Sequence, residues 1–295
     1  MNNSNHSTGR KKSSIKHSDL FVLSQQIVDI RRQRLYQNYR SADATVVWER
    51  ISHSYRIVDL QLDRFIQSLR FVLVHYCQTE PLAQVVGLYD DGVSMRSLLH
   101  QIFDKMSENL SFCALEDGTC ELVGVLVASM FDKSRWKFAL EYPGDGLRQI
   151  MIMRDYAITK AMFYEIMGAE KPVRIDILCV RSDHQRKGIA TALLRSCLAR
   201  ISGFASVCVG EFTSGASQTI AQRLQFEVLC ELPYESMEAE GHRYQIFKDC
   251  YPENYSIACM AVKILPPPPR YQPSIKSVSL HTQKPKKRKK TRKKK

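Results

Sequence analysis

Residues 173–201, VRIDILCVRSDHQRKGIATALLRSCLARI, decide the fold. The apolar run 173–180 reads as a buried strand that gives way to a short polar loop, Arg181 to Lys187. Gly188 then opens a helix over 189–201 whose first turn carries small side chains at Ala190, Thr191 and Ala192. A helix N-terminus presents unpaired N–H groups and the positive end of the macrodipole. Gly188 and Ala190 let that backbone come close to a ligand, so a pyrophosphate can sit on the amides, with Arg186 and Lys187 adding positive charge at the mouth. The pattern is not a P-loop, because no Gly-Lys-Ser/Thr follows. Nor is it a dinucleotide fingerprint, because the first two glycines are missing.

Outward from this stretch, strand and helix patterns alternate. A strand at 53–60 precedes a helix at 62–76, where Leu62, Phe65, Ile66, Leu69, Val72 and Leu73 recur at helical spacing. A second helix over 94–109 has Ser94 as its expected cap. Strands at 111–115 and 121–130 flank the turn Glu116-Asp117-Gly118-Thr119. A long helix is expected over 147–168, ending at Gly168. After the central strand and helix come a strand at 205–212, a helix at 214–224, and strands at 226–232 and 255–264. The pattern predicts an α/β fold with a mixed central sheet of six to seven strands flanked by helices.

The chain has 43 Lys+Arg against 30 Asp+Glu, but the excess sits at the ends. Ten bases lie in 284–295 and four in 1–18, and neither segment carries an acid. Without them the chain is close to neutral, so no basic nucleic-acid-binding face is expected on the domain. With 44% hydrophobic and 25% charged residues, a wholly disordered, collagen-like or disulfide-scaffold protein is excluded. The nine cysteines contain no C-x-x-C pair and no zinc spacing, so reduced thiols and no metal are expected. The first residues have no apolar stretch of a signal peptide, and the longest apolar run, 122–131, is about half what a membrane span needs. A soluble, cytoplasmic chain is expected, with the nucleus as an alternative.

The expected organisation is a disordered basic N-terminus at 1–18, an N-terminal extension at 19–52, a domain at 53–265, and a Pro-rich then polybasic disordered tail at 266–295. Within the extension, 19–40 reads as an amphipathic helix with Phe21, Ile27, Ile30 and Leu35 on one side. Pro266 to Pro269 stops both helix and strand.

Gln185-Arg186-Lys187-Gly188-Ile189-Ala190 fits the Q/R-x-x-G-x-G/A signature of the GNAT N-acetyltransferase superfamily, and it stands between the central strand and its helix as it does there. The resemblance implies the GNAT fold and acetyl-coenzyme A as co-substrate, held by 185–190. Residues 214–226, SGASQTIAQRLQF, look like the family's second coenzyme-contacting helix, with Ser214 and Ser217 near the coenzyme. Two positions depart from the pattern. The usual L-G-F is Leu224-Gln225-Phe226, and the tyrosine that often serves as general acid is Ala221. The resemblance also implies that backbone N–H groups of Leu178, Cys179 and Val180 serve the acetyl oxygen as it gains charge.

Glu80-Pro81-Leu82 is similar to the E-P-L triplet of insect-type arylalkylamine N-acetyltransferases, in which the glutamate is the general base. Alone, Glu80 would read as a solvated residue at a helix end. The chemistry nonetheless suits it, because an amine is protonated at neutral pH and must lose a proton before attacking a thioester. Pro81 holds Glu80 in an extended conformation. Cys179 reads as a small core residue rather than a nucleophile, since no histidine is spaced to activate it. Ser182 lies in a suitable loop, but Cys179 and Asp183 stand where hydroxyls are expected, which leaves the general acid open.

Three functions compete: an enzyme acetylating a small primary amine, arylalkylamine or polyamine-like; a protein acetyltransferase acting on lysines or N-termini; and a non-catalytic acyl-coenzyme-binding module. Glu80 and the intact loop favour the first. Its acceptor pocket is expected from loops 83–93 and 236–251, and a monomer is expected. The basic tail reads as an import-receptor signal, a polyanion tether or a solvated charge run.

Overall fold

The computed structural model of the chain describes residues 17–38, 45–132 and 143–265. The readings placed on 1–16 and 266–295 lie outside these residues. The strands are β1 (Val47–Ile51), β2 (Tyr55–Asp59), β3 (Phe112–Glu116), β4 (Leu122–Met130), β5 (Val173–Val180), β6 (Val207–Phe212), β7 (Glu227–Pro233) and β8 (Ser256–Lys263). They form one eight-stranded sheet in the order β1-β2-β3-β4-β5-β6-β8-β7. Every neighbouring pair is antiparallel except β5–β6, which is joined by a helical crossover.

The expectation of six to seven strands is corrected by β1, which lies in the segment read as an extension. It forms a hairpin with β2 through Ser52 and His53, both at positive φ (46° and 55°). That is the turn geometry favoured by strand twist, but neither residue is the Asn or Gly that announces it. Trp48 holds β1 to the sheet by packing edge-on against Phe112, with ring centroids 5.9 Å apart.

One face of the sheet carries α1 (His17–Asn38), α2 (Phe65–Phe71), α4 (Gly92–Met106) and α5 (Asp145–Lys160). Between α2 and α4 lies the short helix α3 (Pro81–Val85), and α6 (Phe163–Met167) follows α5. The opposite face carries α7 (Ile189–Ile201) and α8 (Gly215–Arg223). Each layer buries its own apolar cluster. In α1 the buried face is Leu20, Ser24, Ile27 and Val28, a helical i, i+4, i+7, i+8 stripe. Phe21, expected on that face, instead sits at its margin under the Arg70 guanidinium, 5.2 Å from the ring centre. The side chains of Ile30 and Leu35 lie outside the described residues.

Two helix expectations also change. The long helix at 147–168 breaks at Met162, which is left-handed at φ 45°, giving α5 and α6. The cap of α4 is Asp91, whose Oδ1 accepts from the N–H of Val93 and of Ser94, both at 3.1 Å. The hydroxyl of Ser94 instead accepts from the Leu147 N–H at 2.9 Å, tying the start of α5 to α4.

The feature that opens a site is in β5. A bulge falls between its pairings Ile175↔Ala128 and Ile177↔Val127, so Asp176 is the extra residue. Parallel pairing with β6 covers only Val173 to Ile175. Beyond the bulge the two strands part, and the β6-facing side of residues 176–180 has no strand partner.

Candidate active site

Loop 181–188 leaves the end of β5 and delivers the chain to α7. Its backbone is folded on itself: the His184 N–H donates to the Arg181 carbonyl (2.9 Å), and Gln185 Nε2 reaches back to the Val180 carbonyl (3.2 Å). Arg186 and Gly188 both adopt left-handed backbone, at φ 63° and 81°. At Gly188 a Cβ would meet nothing within 4 Å, so glycine is favoured there by conformation, not crowding. No side chain caps α7, which leaves the N–H groups of its first turn facing outward. Gln185, Arg186, Lys187 and Gly188 are exposed around it, while the Ile189 side chain is buried in the core, so Ile189 can offer a ligand only its backbone. Ala190 is half-buried. These residues fit an anionic pyrophosphate: free amides, a glycine without a side chain and two cations.

Ser214 and Ser217 are occupied with each other. Ser214 caps α8 in a reciprocal capping box, and the two hydroxyls lie 3.0 Å apart. Gln225 holds the left-handed position at φ 65° that glycine takes in the resembled pattern. Ala221 is fully buried and offers no hydroxyl.

The opposite wall is built by the end of α2. There the helix loosens into a π-helical turn, Val72–Tyr76, that packs against β5. The chain then turns, and Glu80 becomes the N-cap of α3, with Pro81 at its first position. Glu80 is buried at 7% exposure, and its Oε2 accepts from the Ala83 N–H at 2.6 Å. Burial raises its pKa above the usual carboxylate value, opposed by the N–H groups of Ala83 and Leu82, the Thr213 hydroxyl and the charge of Arg154. A carboxylate so shifted is a better proton acceptor at neutral pH than a solvated one.

Cys77, buried at the end of the π-helical turn, feels both Cys179 and Glu80, which places the cap close to the central strand. Cys179 is itself buried, and desolvation pushes its thiol up to about 12, so it stays protonated and non-nucleophilic at neutral pH. Leu178 and Val180 flank it, half-exposed. His75 is the histidine nearest to Glu80 in sequence. Burial and then the Arg181 charge lower its pKa, so it is neutral at pH 7.

Glu80 lines a cleft with Tyr76, Arg154, Lys105, Asp176 and apolar residues of α4 and α5. Its free interior is about 30 Å³, room for water, so a larger ligand must displace lining side chains. Of the two loops expected to build the acceptor pocket, 83–93 contributes Leu88 and 236–251 contributes no lining residue. The second loop packs instead on α3, with the Cys250 thiol donating to the Pro81 carbonyl at 3.6 Å.

Beneath the cleft is an ionic cluster absent from the sequence reading. Arg154 donates to the carbonyls of Ile175 and Asp176 (3.5 and 3.4 Å), occupying the gap where β6 leaves β5. It pairs with Glu211 at 2.7 Å, as Arg174 does at 2.6 Å. The two arginines hold the Glu211 pKa below the usual range despite burial. Asp176 accepts from Lys105 and, at 2.6 Å, from Ser129. A signal for the cluster exists in the sequence: Arg154 falls on the buried stripe Leu147, Ile150, Met151, Ile158 of α5, and Arg174, Asp176 and Glu211 interrupt strands that are otherwise apolar. Tyr76 was also missed. Burial raises its pKa well above 10, which keeps the phenol a proton-bearing donor in the cleft.

Residues 78–224 match the family model described as Acetyltransferase (GNAT) family. No curated protein sequence matches the chain. Among solved structures, a protein designated arylalkylamine N-acetyltransferase 7 of the yellow fever mosquito Aedes aegypti superposes with a TM-score of 0.67 at 22% identity, covering 76% of this chain and 98% of that one. Arylalkylamine N-acetyltransferase 2 of Aedes aegypti gives 0.63 at 21%, covering 71% and 99%. A Drosophila melanogaster polyamine N-acetyltransferase that forms N-acetylagmatine gives 0.59 at 17%, also covering 71% and 99%. At these identities the likeness is one of fold.

Proposed function

The chain belongs to the GNAT acetyltransferase family and is an N-acetyltransferase, and from that premise we propose that it moves the acetyl group of acetyl-coenzyme A to a small primary amine, with Glu80 as general base. The observation that carries this reading is the buried carboxylate of Glu80, raised in pKa, on a cap beside the parted end of β5. Two of the structural neighbours are named for arylalkylamines and one for a polyamine, which supports a small amine as the acceptor class.

In this reading the amides opening α7, with Arg186 and Lys187, hold the pyrophosphate. The acetyl carbonyl lies along 178–180, where strand pairing with β6 has ended; the Arg181 N–H bonds to Val123 beside β4, so by strand alternation the main-chain N–H groups of Leu178 and Val180 face the open side and can meet the oxygen as it gains charge. Glu80 accepts the ammonium proton directly or through a water in the cleft. The freed amine attacks the carbonyl carbon, the C–S bond breaks, the nitrogen gives up a second proton as the amide forms, and the departing thiolate takes up a proton, by way of water, to leave as the thiol. The polybasic tail, in this proposal, acts apart from the chemistry as a tether for polyanions or an import receptor.

The test is one panel. Purified protein and acetyl-coenzyme A are read by thiol release with tryptamine, dopamine, agmatine, spermidine and a histone peptide. Release with one or more of the small amines is expected. Release with the peptide alone, or with none, overturns the small-amine assignment.

A further inference from the structure

Glu80 and Asp176 are the only carboxylates lining the cleft among the described residues, and they are in different situations. Among the described residues Glu80 carries no cation of its own within bonding distance. Asp176 is buried at 6% exposure and already partnered at both oxygens: one takes the Lys105 ammonium, the other takes the Ser129 hydroxyl at 2.6 Å. The remaining cation on the wall, Arg154, faces Glu211 and two strand carbonyls. The rest of the lining is largely apolar, including Leu88, Leu98, Ile102 and Ile150.

Resting on the small-amine reading, we propose that Lys105 is a specificity-determining residue: by occupying Asp176 it denies a partner to the second ammonium of a diamine, and so restricts the acceptor to amines with one positive charge and an apolar body. An amine whose reacting nitrogen is at Glu80 must lodge its other end among the cleft's remaining groups. An apolar tail meets apolar side chains. A second ammonium meets Lys105 and Arg154, with no free carboxylate to offset the like charges or its own lost hydration. The Lys105 wall does not yield easily, because moving its ammonium would strip the buried Asp176 carboxylate of its bonded cation and leave it only the more distant charges of Arg174 and Arg154. The side chain of Lys105 is a quarter exposed while that of Asp176 is 3% exposed, so the lysine covers the acid from the open side.

The experiment uses the full chain and a matched pair of acceptors, hexylamine and 1,5-diaminopentane, which differ at the far end by a methyl against an ammonium. For the parent, kcat/KM should favour hexylamine by about 10²-fold. Lys105→Met removes the charge and keeps the bulk, so the preference should swing toward the diamine by about tenfold or more, mostly through KM. Lys105→Arg should retain the parent preference. In Lys105→Met/Asp176→Asn the gain should vanish, since the freed carboxylate is gone. Hexylamine turnover reports that each variant is folded, and the parent comparison needs no variant at all. Equal use of both acceptors by the parent, or an unchanged preference in an active Lys105→Met, overturns the proposal while leaving the small-amine reading intact. A parent that binds acetyl-coenzyme A but acetylates no small amine removes both.

Discussion

Replacing Glu80 with glutamine separates its two jobs. As a cap it offers an oxygen to the Ala83 N–H at 2.6 Å, and glutamine keeps an amide oxygen there. As a base it offers a proton acceptor, which glutamine lacks. A positioned general base contributes about 10²–10⁴-fold. An amine with a pKa near 10.4 is free in only roughly one molecule in 10³ at pH 7, so a variant limited to that free fraction falls in the same range. The expected result is a loss of kcat/KM of about 10²-fold or more at pH 7, shrinking about tenfold per pH unit as the amine deprotonates unaided. Coenzyme affinity should not move, because the 185–190 loop is on the other wall. Stability supplies a second readout. Burial raises the Glu80 pKa, so the protonated form is the one that stabilises the fold, and that contribution is lost as pH rises through the folded value. Glutamine is neutral throughout, so Tm at pH 7 should equal or exceed the parent's. A glutamine variant with parent-like turnover at pH 7 would show that Glu80 is a cap only, and the base must then be sought elsewhere.

Other outcomes follow from the same geometry. Gly188→Asp should weaken acetyl-coenzyme A binding by about tenfold or more in calorimetry while the protein still folds with a modestly lower Tm: the left-handed backbone strains any side chain, aspartate less than most, and a Cβ there meets nothing within 4 Å. Glu211→Ala leaves Arg154 and Arg174 facing each other, buried and unpaired, and should cost about 3–5 kcal/mol in denaturant unfolding. The lowered Glu211 pKa contributes stability above the ordinary carboxylate range that is lost as pH falls through its folded value, so the gap between parent and variant should narrow in acid. Truncation after Leu265 should leave turnover on a small amine unchanged and abolish retention on heparin at low salt, with retention in the parent falling steeply as salt rises.

Local rules made much of this protein legible. Apolar runs bounded by turn signals located seven of the eight strands, the central ones buried on both faces, and a helical period located the helix that follows β5, whose buried stripe writes its spacing into the chain. The polar loop before Gly188 announced a possible anion site for the same local reason, since free amides at a helix start need only small residues there. What the sequence hid was governed by groups far apart in the chain. The β1 hairpin turns on Ser52 and His53 without the Asn or Gly that announces such a turn, and it is stabilised by Trp48 reaching Phe112. The break at Met162, left-handed and exposed, falls where the sequence carries neither Gly nor Pro to mark it.

The site divides in the same way. Glu80 is an acid between a polar turn and a proline in the sequence, where a solvated end is the ordinary reading. Only the fold buries it, and a pKa follows burial, not sequence. Arg154, Asp176 and Lys105 come from a helix, a strand and another helix, and nothing in the spacing of residues 105, 154 and 176 says that they meet. A bulge in β5, undetectable as a local pattern, turns Asp176 and Ile177 to one face and ends the pairing with β6. The sequence by itself therefore determined the succession of strands and helices along the chain and the candidate anion loop before Gly188, both of which depend on neighbours in the chain. The tertiary structure alone decided which charges are buried together, because that depends on which distant strands part and what fills the gap.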